Sequence, residues 1–364
     1  MVYNSLKDSF LFDKRQTNIA KGIAVLMLLW HHLFYNSPEF YDRFTSMRLL
    51  SGGVPIECFL STFCKGCVAV FLLLSGLGLY KSWKAYKLRL SEEKLSLMNQ
   101  LIFVKNHLLK LMLNYWFIYL FFAIMGVLCG KPFWNVYQGN VLYGIMDFLG
   151  ISYFFSTPSM NPTWWFMGVI IVFYLLFPLF GKIMDYSAEI WLAICILINF
   201  ASFISEIKQL RLWLLPFALG MFLSKYDIFD KVAYRNQGLF KRLILSFVAV
   251  LAMLMIRYIY YQNVTIDAFL AFAILLFCYL VLSRIPIMNT VLEHLGKHSG
   301  AIFMFHHFVF GLYFKDFIYW FKYPPIIFLV LTVICYVVAV GLEYLKKLIR
   351  YDKLINLLIS KVKG

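Results

Sequence analysis

Lys21-Gly-Ile-Ala-Val-Leu-Met-Leu-Leu-Trp-His31-His32 sets a cation and an imidazole eleven positions apart inside the first long apolar segment of the chain. Eleven steps of about 100° come to roughly three turns plus 20°, with about 16 Å of rise, so Lys21 and His32 share one helical face. His31 is turned about 100° away from that face. Nearly everything between them is hydrocarbon, and a polar stripe in so apolar a helix marks a function.

The rest of the chain has the same character. Its 364 residues are 62% hydrophobic and 20% aromatic, with only 14% charged, a balance that excludes a water-soluble globule and reads as an all-α, polytopic integral membrane protein. Every gap between apolar runs is shorter than about 50 residues, the usual lower limit of a domain, so residues 1–364 read as one membrane domain with no fused soluble domain. Lys7, Lys14, Arg15 and Lys21 precede the first apolar run as they would in a signal peptide, but the run ends in Trp30-His31-His32-Leu33-Phe34-Tyr35 without a small-residue cleavage site. It is expected to stay attached as a helix.

The formal charge of +16 does not point to nucleic acid, because the basic residues are spread over short loops, where membrane lipids and topology account for them. Of the seven cysteines, Cys129, Cys195, Cys278 and Cys335 sit singly in apolar segments. Cys64-Lys65-Gly66-Cys67 has the spacing of a redox or metal pair but lacks a second ligand pair. Small packing residues are the better reading, and no metal is expected.

At roughly twenty apolar residues per crossing, about ten helices are expected, over 19–35, 59–80, 108–128, 164–180, 190–204, 210–223, 243–261, 268–282, 299–320 and 325–345. Residues 141–155, rich in aromatics, are too short for a crossing and suit the interface or a re-entrant segment. An even count places both termini on one side. Of the 34 Lys and Arg, 25 then fall on the side of the termini and eight on the other, with Lys65 inside a span. The positive-inside rule makes the termini cytoplasmic. The first and ninth helices both run outward, which puts Lys21 at the inner boundary, His31-His32 in the outer half and His306-His307 near mid-membrane.

Histidine is the side chain most easily poised to move a proton near neutral pH, and burying one is costly unless it is bonded. His32 and His306 are the candidates, while His31 and His307, turned off the stripe, read as packing residues. Lys65, near the outer end of the second helix, is expected to snorkel or to pair with Glu57 two turns away. A cytoplasmic cation suits an anionic cofactor, and a histidine deeper in suits proton abstraction from a hydroxyl. The same features fit a proton-coupled transporter or flippase of a glycan or lipid-linked precursor, and a third reading is a non-catalytic partner of a polysaccharide synthase.

At these residues the chain resembles the acyltransferase-3 family of bacterial integral-membrane O-acyltransferases of surface polysaccharides. The family's first helix carries Arg or Lys, ten residues, then His, which Lys21 and His32 match. Gly66-Cys-Val-Ala-Val-Phe71-Leu-Leu-Leu-Ser75-Gly76-Leu-Gly78 is similar to its Gly-X3-Phe-Phe-X-X-Ser-Gly run. Gly296-Lys-His-Ser299-Gly-Ala-Ile302-Phe303-Met-Phe305-His306 is similar to its Gly-Lys-X-Ser-X-X-Ile-Tyr-X-X-His signature. Pro162-Thr163-Trp164-Trp165 and Phe173-Tyr174-Leu-Leu-Phe-Pro178 look like the family's fourth helix. There are two departures. His107-Leu-Leu-Lys110 stands where the family has Arg-X-X-Arg, and Lys does not reproduce the bidentate grip of Arg on phosphate. Ile170 stands where many members have Glu.

The resemblance implies transfer of an acyl group, most often acetyl, from cytoplasmic acyl-CoA to a hydroxyl of a cell-surface or lipid-linked glycan, by a multi-pass protein of the inner or plasma membrane working with polysaccharide-synthesis partners. It makes His32 the general base or acyl relay and His306 its support. Lys21, His107 and Lys110 would receive the CoA phosphates, and Ser75, Ser299, Lys65 and Trp165 would line the passage. Tyr137, Tyr143, Tyr153 and Phe154, in the outer 130–163 loop, are expected in the interfacial belt rather than on a sugar.

Overall fold

A computed structural model describes residues 12–90, 96–201, 207–234, 239–260 and 263–361. The ends of two expected spans, at 202–204 and 261, and the basic residues Lys7, Lys94, Arg235 and Lys363 lie outside them.

The described residues are 83% helical, with no strand among them. Its principal helices are α1 (Lys14–Leu33), α2 (Ile56–Cys64), α3 (Cys67–Arg89), α4 (Leu97–Leu128), α5 (Val141–Phe148), α6 (Trp165–Tyr186), α7 (Ala188–Phe200), α8 (Lys208–Lys225), α9 (Leu239–Ile259), α10 (Val264–Leu280), α11 (Pro286–Lys297), α12 (Ser299–His307) and α13 (Pro324–Leu348). Helices are what a chain this apolar must form, because lipid offers no partner to an unpaired backbone group. Where the sequence supplies caps they are used: Ser96, Ser187 and Asn263 each accept a backbone N–H at the start of α4, α7 and α10.

Each of the ten expected spans overlaps helix among the described residues. Among the described residues six helical stretches are long and apolar enough to cross a membrane, Ile56–Arg89, Leu97–Leu128, Pro162–Tyr186, Phe240–Ile259, Val264–Arg284 and Pro324–Leu348, with Ala188–Phe200 and Ser299–Tyr313 as shorter apolar helices. Two spans are less regular than expected. The second breaks at Lys65–Gly66 between α2 and α3, at a glycine that weakens helix continuity. The ninth widens after His307 into a π-helical turn, Phe308–Tyr313, and resumes as a short helix over Lys315–Trp320. Residues 141–155 hold only the eight-residue α5 and a 3-10 turn, Ser152–Phe155.

The chain divides into two compact units. One comprises Met1–His31, Cys58–Ala85 and Gly181–Ser299, the other His32–Glu57, Tyr86–Phe180 and Gly300–Gly364. In the first, glycines set the closest helix contacts. A Cβ on Gly76 would lie 2.0 Å from the Phe217 carbonyl oxygen, and one on Gly220 2.0 Å from that of Leu73, so α3 and α8 cross backbone to backbone. Gly22 and Gly296 do the same for α1 and α11, where added Cβ atoms would lie 2.2 Å from the Leu292 oxygen and 1.8 Å from the Asn18 oxygen. Gly76 is therefore a packing residue.

The second unit is knit by aromatic rings and one buried carboxylate. Phe122 stacks on Phe308 at 4.5 Å and on Phe305 at 5.5 Å, and Trp164 meets Phe308 edge-on at 5.7 Å. Asp147 accepts from the Tyr137 hydroxyl (2.7 Å), the Met160 N–H (2.9 Å) and the Ser152 hydroxyl (3.2 Å). Burial pushes its carboxyl above the usual carboxylate range, against the pull of these bonds. Tyr137, expected in the interfacial belt, is instead buried, bonded to Asp147 and at 2.9 Å to the Tyr119 hydroxyl.

Candidate active site

His32 and His306 meet inside the second unit. α1 delivers His32 one residue before its end, and that end is pinned by the Tyr319 hydroxyl, which donates to the Leu33 carbonyl at 2.8 Å. α12 delivers His306, which is fully buried, while His32 is half-buried. The two imidazole centroids are 4.9 Å apart with the rings tilted by 45°. Phe310, carried by the π-helical turn, lies against both rings, 6.1 Å from His32 and 5.9 Å from His306. Such a turn adds a residue to the helical circuit and is frequent at functional positions.

The carbonyl oxygens of Phe303 at 2.9 Å and Ile302 at 3.1 Å lie against Nδ1 of His306, and both call for an N–H there, the tautomer of the neutral ring that leaves the lone pair on Nε2. The helix that carries it is itself clamped. The Asn161 amide and the Trp164 indole N–H both donate to the Met304 carbonyl at 2.8 Å, two residues before His306. Asn161 also caps the 3-10 turn Pro162–Trp164 through the Thr163 N–H. The Trp164 half of this clamp belongs to a stretch the sequence singled out. Asn161 gave no signal, since asparagine before proline reads as a loop residue.

His31 goes elsewhere. In the first unit its Nδ1 bonds the Ser61 carbonyl at 2.9 Å, a satisfied packing histidine as expected. His307 packs edge-on against Phe310 at 5.1 Å.

The other sequence candidates are divided between the two units. Lys21 is half-buried in the first unit. His107 and Lys110 lie one turn apart on α4 in the second unit, His107 half-buried with Nδ1 on the Phe103 carbonyl at 2.8 Å, Lys110 exposed. Beside them a groove of about 440 Å³ runs along α4, walled by Leu108, Met112, Trp116 and Leu175 with Lys105 at its edge. Its lining suits hydrocarbon rather than chemistry. In the first unit Ser75 back-bonds to the Phe71 carbonyl at 2.8 Å, and Ser299 is buried. Trp165 packs against Tyr153 and Phe166 in the second. Ile170, at the position of the family glutamate, is buried in α6. Lys65 is half-buried in the first unit, where the Asp267 carboxylate acts on it electrostatically. In the second unit Glu57 accepts from the Ser46 hydroxyl and the Met47 N–H, both at 2.8 Å. Among the described residues no three His, Cys, Asp or Glu side chains gather as a metal would need.

No curated protein and no solved structure matches the chain. A family model described as an acyltransferase domain matches residues 16–344, nearly the whole length, and takes in both histidines and the cations that precede them. The chain belongs to the acyltransferase-3 family of membrane acyltransferases.

Proposed function

We propose that this protein moves an acyl group, most often acetyl, from acyl-CoA at the cytoplasmic face to a hydroxyl of a cell-surface or lipid-linked glycan, with His32 and His306 at the reacting atoms. The 4.9 Å approach of the two imidazoles carries the reading. Two imidazoles in an apolar setting are suited to taking a proton from a neutral hydroxyl and returning it.

His32 takes the hydroxyl proton as the alkoxide oxygen attacks the thioester carbonyl. The tetrahedral adduct then collapses, the C–S bond breaks, and the departing sulfur receives that proton from the imidazolium. The products are the O-acyl ester and the free CoA thiol, with no redox change. His306, through Nε2, holds the hydroxyl or the His32 ring in line. Acyl relay through a His32 acyl-imidazole uses the same atoms in two steps. The cations proposed for the CoA phosphates are Lys21, His107 and Lys110.

The test is chemical analysis of surface glycans from cells lacking the gene and complemented with either the natural sequence or His32→Ala. Restoration of O-acyl groups by the first alone, at equal membrane levels of the two proteins, is expected. Equal restoration by His32→Ala overturns the proposal.

A further inference from the structure

The sparsely charged side of the chain spends its cations unevenly. Of the eight Lys and Arg that the loop count assigns to it, Lys208, Arg211 and Arg257 belong to the first unit, and Lys65, which the count left inside a span, joins them there.

Arg257 sits near the end of α9 beside the exposed Ile256, Tyr258 and Ile259, yet it is itself only 1% exposed. Its Nε donates to Oδ1 of the equally buried Asp267 on α10, its Nη2 reaches Oδ2 at 3.4 Å, and the Phe63 ring covers Cζ at 5.8 Å. Its Nη1 is buried and has no hydrogen-bond partner among the described residues. Lys65, in the turn between α2 and α3, is close enough to Asp267, Arg257 and Lys208 to act on all three electrostatically. Arg211 stands behind them. Its Nη1 donates to the Asn199 carbonyl at 2.6 Å, its Nε is buried without a partner among the described residues, and Asn199 in turn accepts from Thr265, two residues before Asp267.

One Arg and one Asp would close such a site. Here the single described carboxylate is shared by Arg257 and Lys65, with Lys208 and Arg211 in addition. Counting Glu206, which lies outside the described residues, the cations still outnumber the carboxylates of these segments two to one. Buried Arg257 and half-buried Lys65 share one carboxylate and repel each other strongly, and Lys208, exposed at the start of α8, adds to that repulsion. Topology also disfavours them on this side. A buried guanidinium nitrogen left without an acceptor completes the pattern of a site short of one anion, because an N–H that stays unbonded in such surroundings is expensive.

We propose that Lys65, Arg257 and Lys208, with Arg211 supporting them, form a binding site for a phosphate-type oxyanion. Arg257 offers a directed N–H and Lys65 a mobile point charge, a combination suited to an anion with several acceptor oxygens. The phosphate is that of a lipid headgroup or of a phosphate-bearing saccharide. The site stands apart from the acyl-transfer reading, and its failure would leave that reading untouched.

The test uses the purified full-length protein in phosphatidylcholine nanodiscs. Thermal unfolding is followed while inorganic pyrophosphate is titrated in solution, and in a second arm while phosphatidylglycerol replaces part of the lipid. Stabilisation in at least one arm is expected, weakened tenfold or more in apparent affinity by Lys65→Gln/Lys208→Gln. Lys315→Gln/Lys322→Gln, which removes two other cations of the same side, should leave it unchanged. A response to phosphatidylglycerol alone identifies a headgroup, one to pyrophosphate alone a phosphate-bearing solute. No response in either arm, or equal losses in the two double variants, overturns the proposal. Both variants are first shown to unfold at the natural temperature without ligand.

Discussion

The polar interior of each unit answers a different demand. In the second unit, His32 and His306 lie against each other as two tilted imidazoles with Phe310 beside both. In the first, Arg257 and Asp267 form a fully buried ion pair with Lys65 beside it. Both lie among apolar helices, where a polar group without a partner is costly. The imidazoles avoid that cost by remaining able to discard charge, and a ring that gains and loses a proton is what group transfer to a hydroxyl needs. Guanidinium cannot discard its charge, so the ion pair is a fixed holder of charge. On the two proposals, proton traffic and anion holding fall to different chemistry in different units, and variants that act on one should spare the other.

The largest expected effect is on activity. His306→Asn keeps an N–H donor near the Ile302 and Phe303 carbonyls but has no Nε2, so acyl transfer should fall by about 10²-fold or more, the usual worth of a positioned base, with the thermal midpoint nearly unchanged. If activity survives, His306 belongs with His31 as a packing residue. Next is stability in the other unit. Arg257→Met leaves Asp267 buried without its partner and should cost about 3–5 kcal/mol, whereas Arg257→Met/Asp267→Met should recover most of it, as paired neutral replacements do. A double variant as unstable as the single one would mean that the charge itself holds α9 on α10. Somewhat smaller is Gly296→Ala, whose Cβ must displace the Asn18 backbone and should cost about 1–3 kcal/mol in unfolding measurements.

The smallest effect concerns Asp147. Its carboxyl value is raised by burial, so its folded form holds the proton more tightly than the unfolded chain does. The contribution to stability is therefore fully present below the unfolded carboxylate value and is lost as pH rises through the raised folded one. Hydrogen exchange across residues 133–162 should show protection falling with pH over that interval in the natural protein, and the fall should vanish in Asp147→Asn.

The helices and the histidine pair were legible in the sequence for a simple reason. Apolar runs of twenty residues have few alternatives in lipid, and Lys21 and His32 lie on one helical face by arithmetic alone. Choosing His32 over His31 by that face agrees with His31 turning to Ser61. What stayed hidden depends on contacts distant in sequence. Asp147 and Tyr137 looked like loop and belt residues, because nothing local announces that Ser152 and Met160 fold back onto the carboxylate. The influence of Asp267 on Lys65 gave no sequence signal, because the two lie some two hundred positions apart. The π-helical turn at Phe308–Tyr313 also escaped, since periodicity alone reads straight through it.

The most direct test follows thioester loss from labelled acetyl-CoA by the purified protein and by His32→Ala, each first shown to unfold at the same temperature. Cleavage by the natural protein that falls at least a hundredfold in the variant is the predicted result. Equal cleavage by the two would contradict a role for the paired imidazoles in the chemistry.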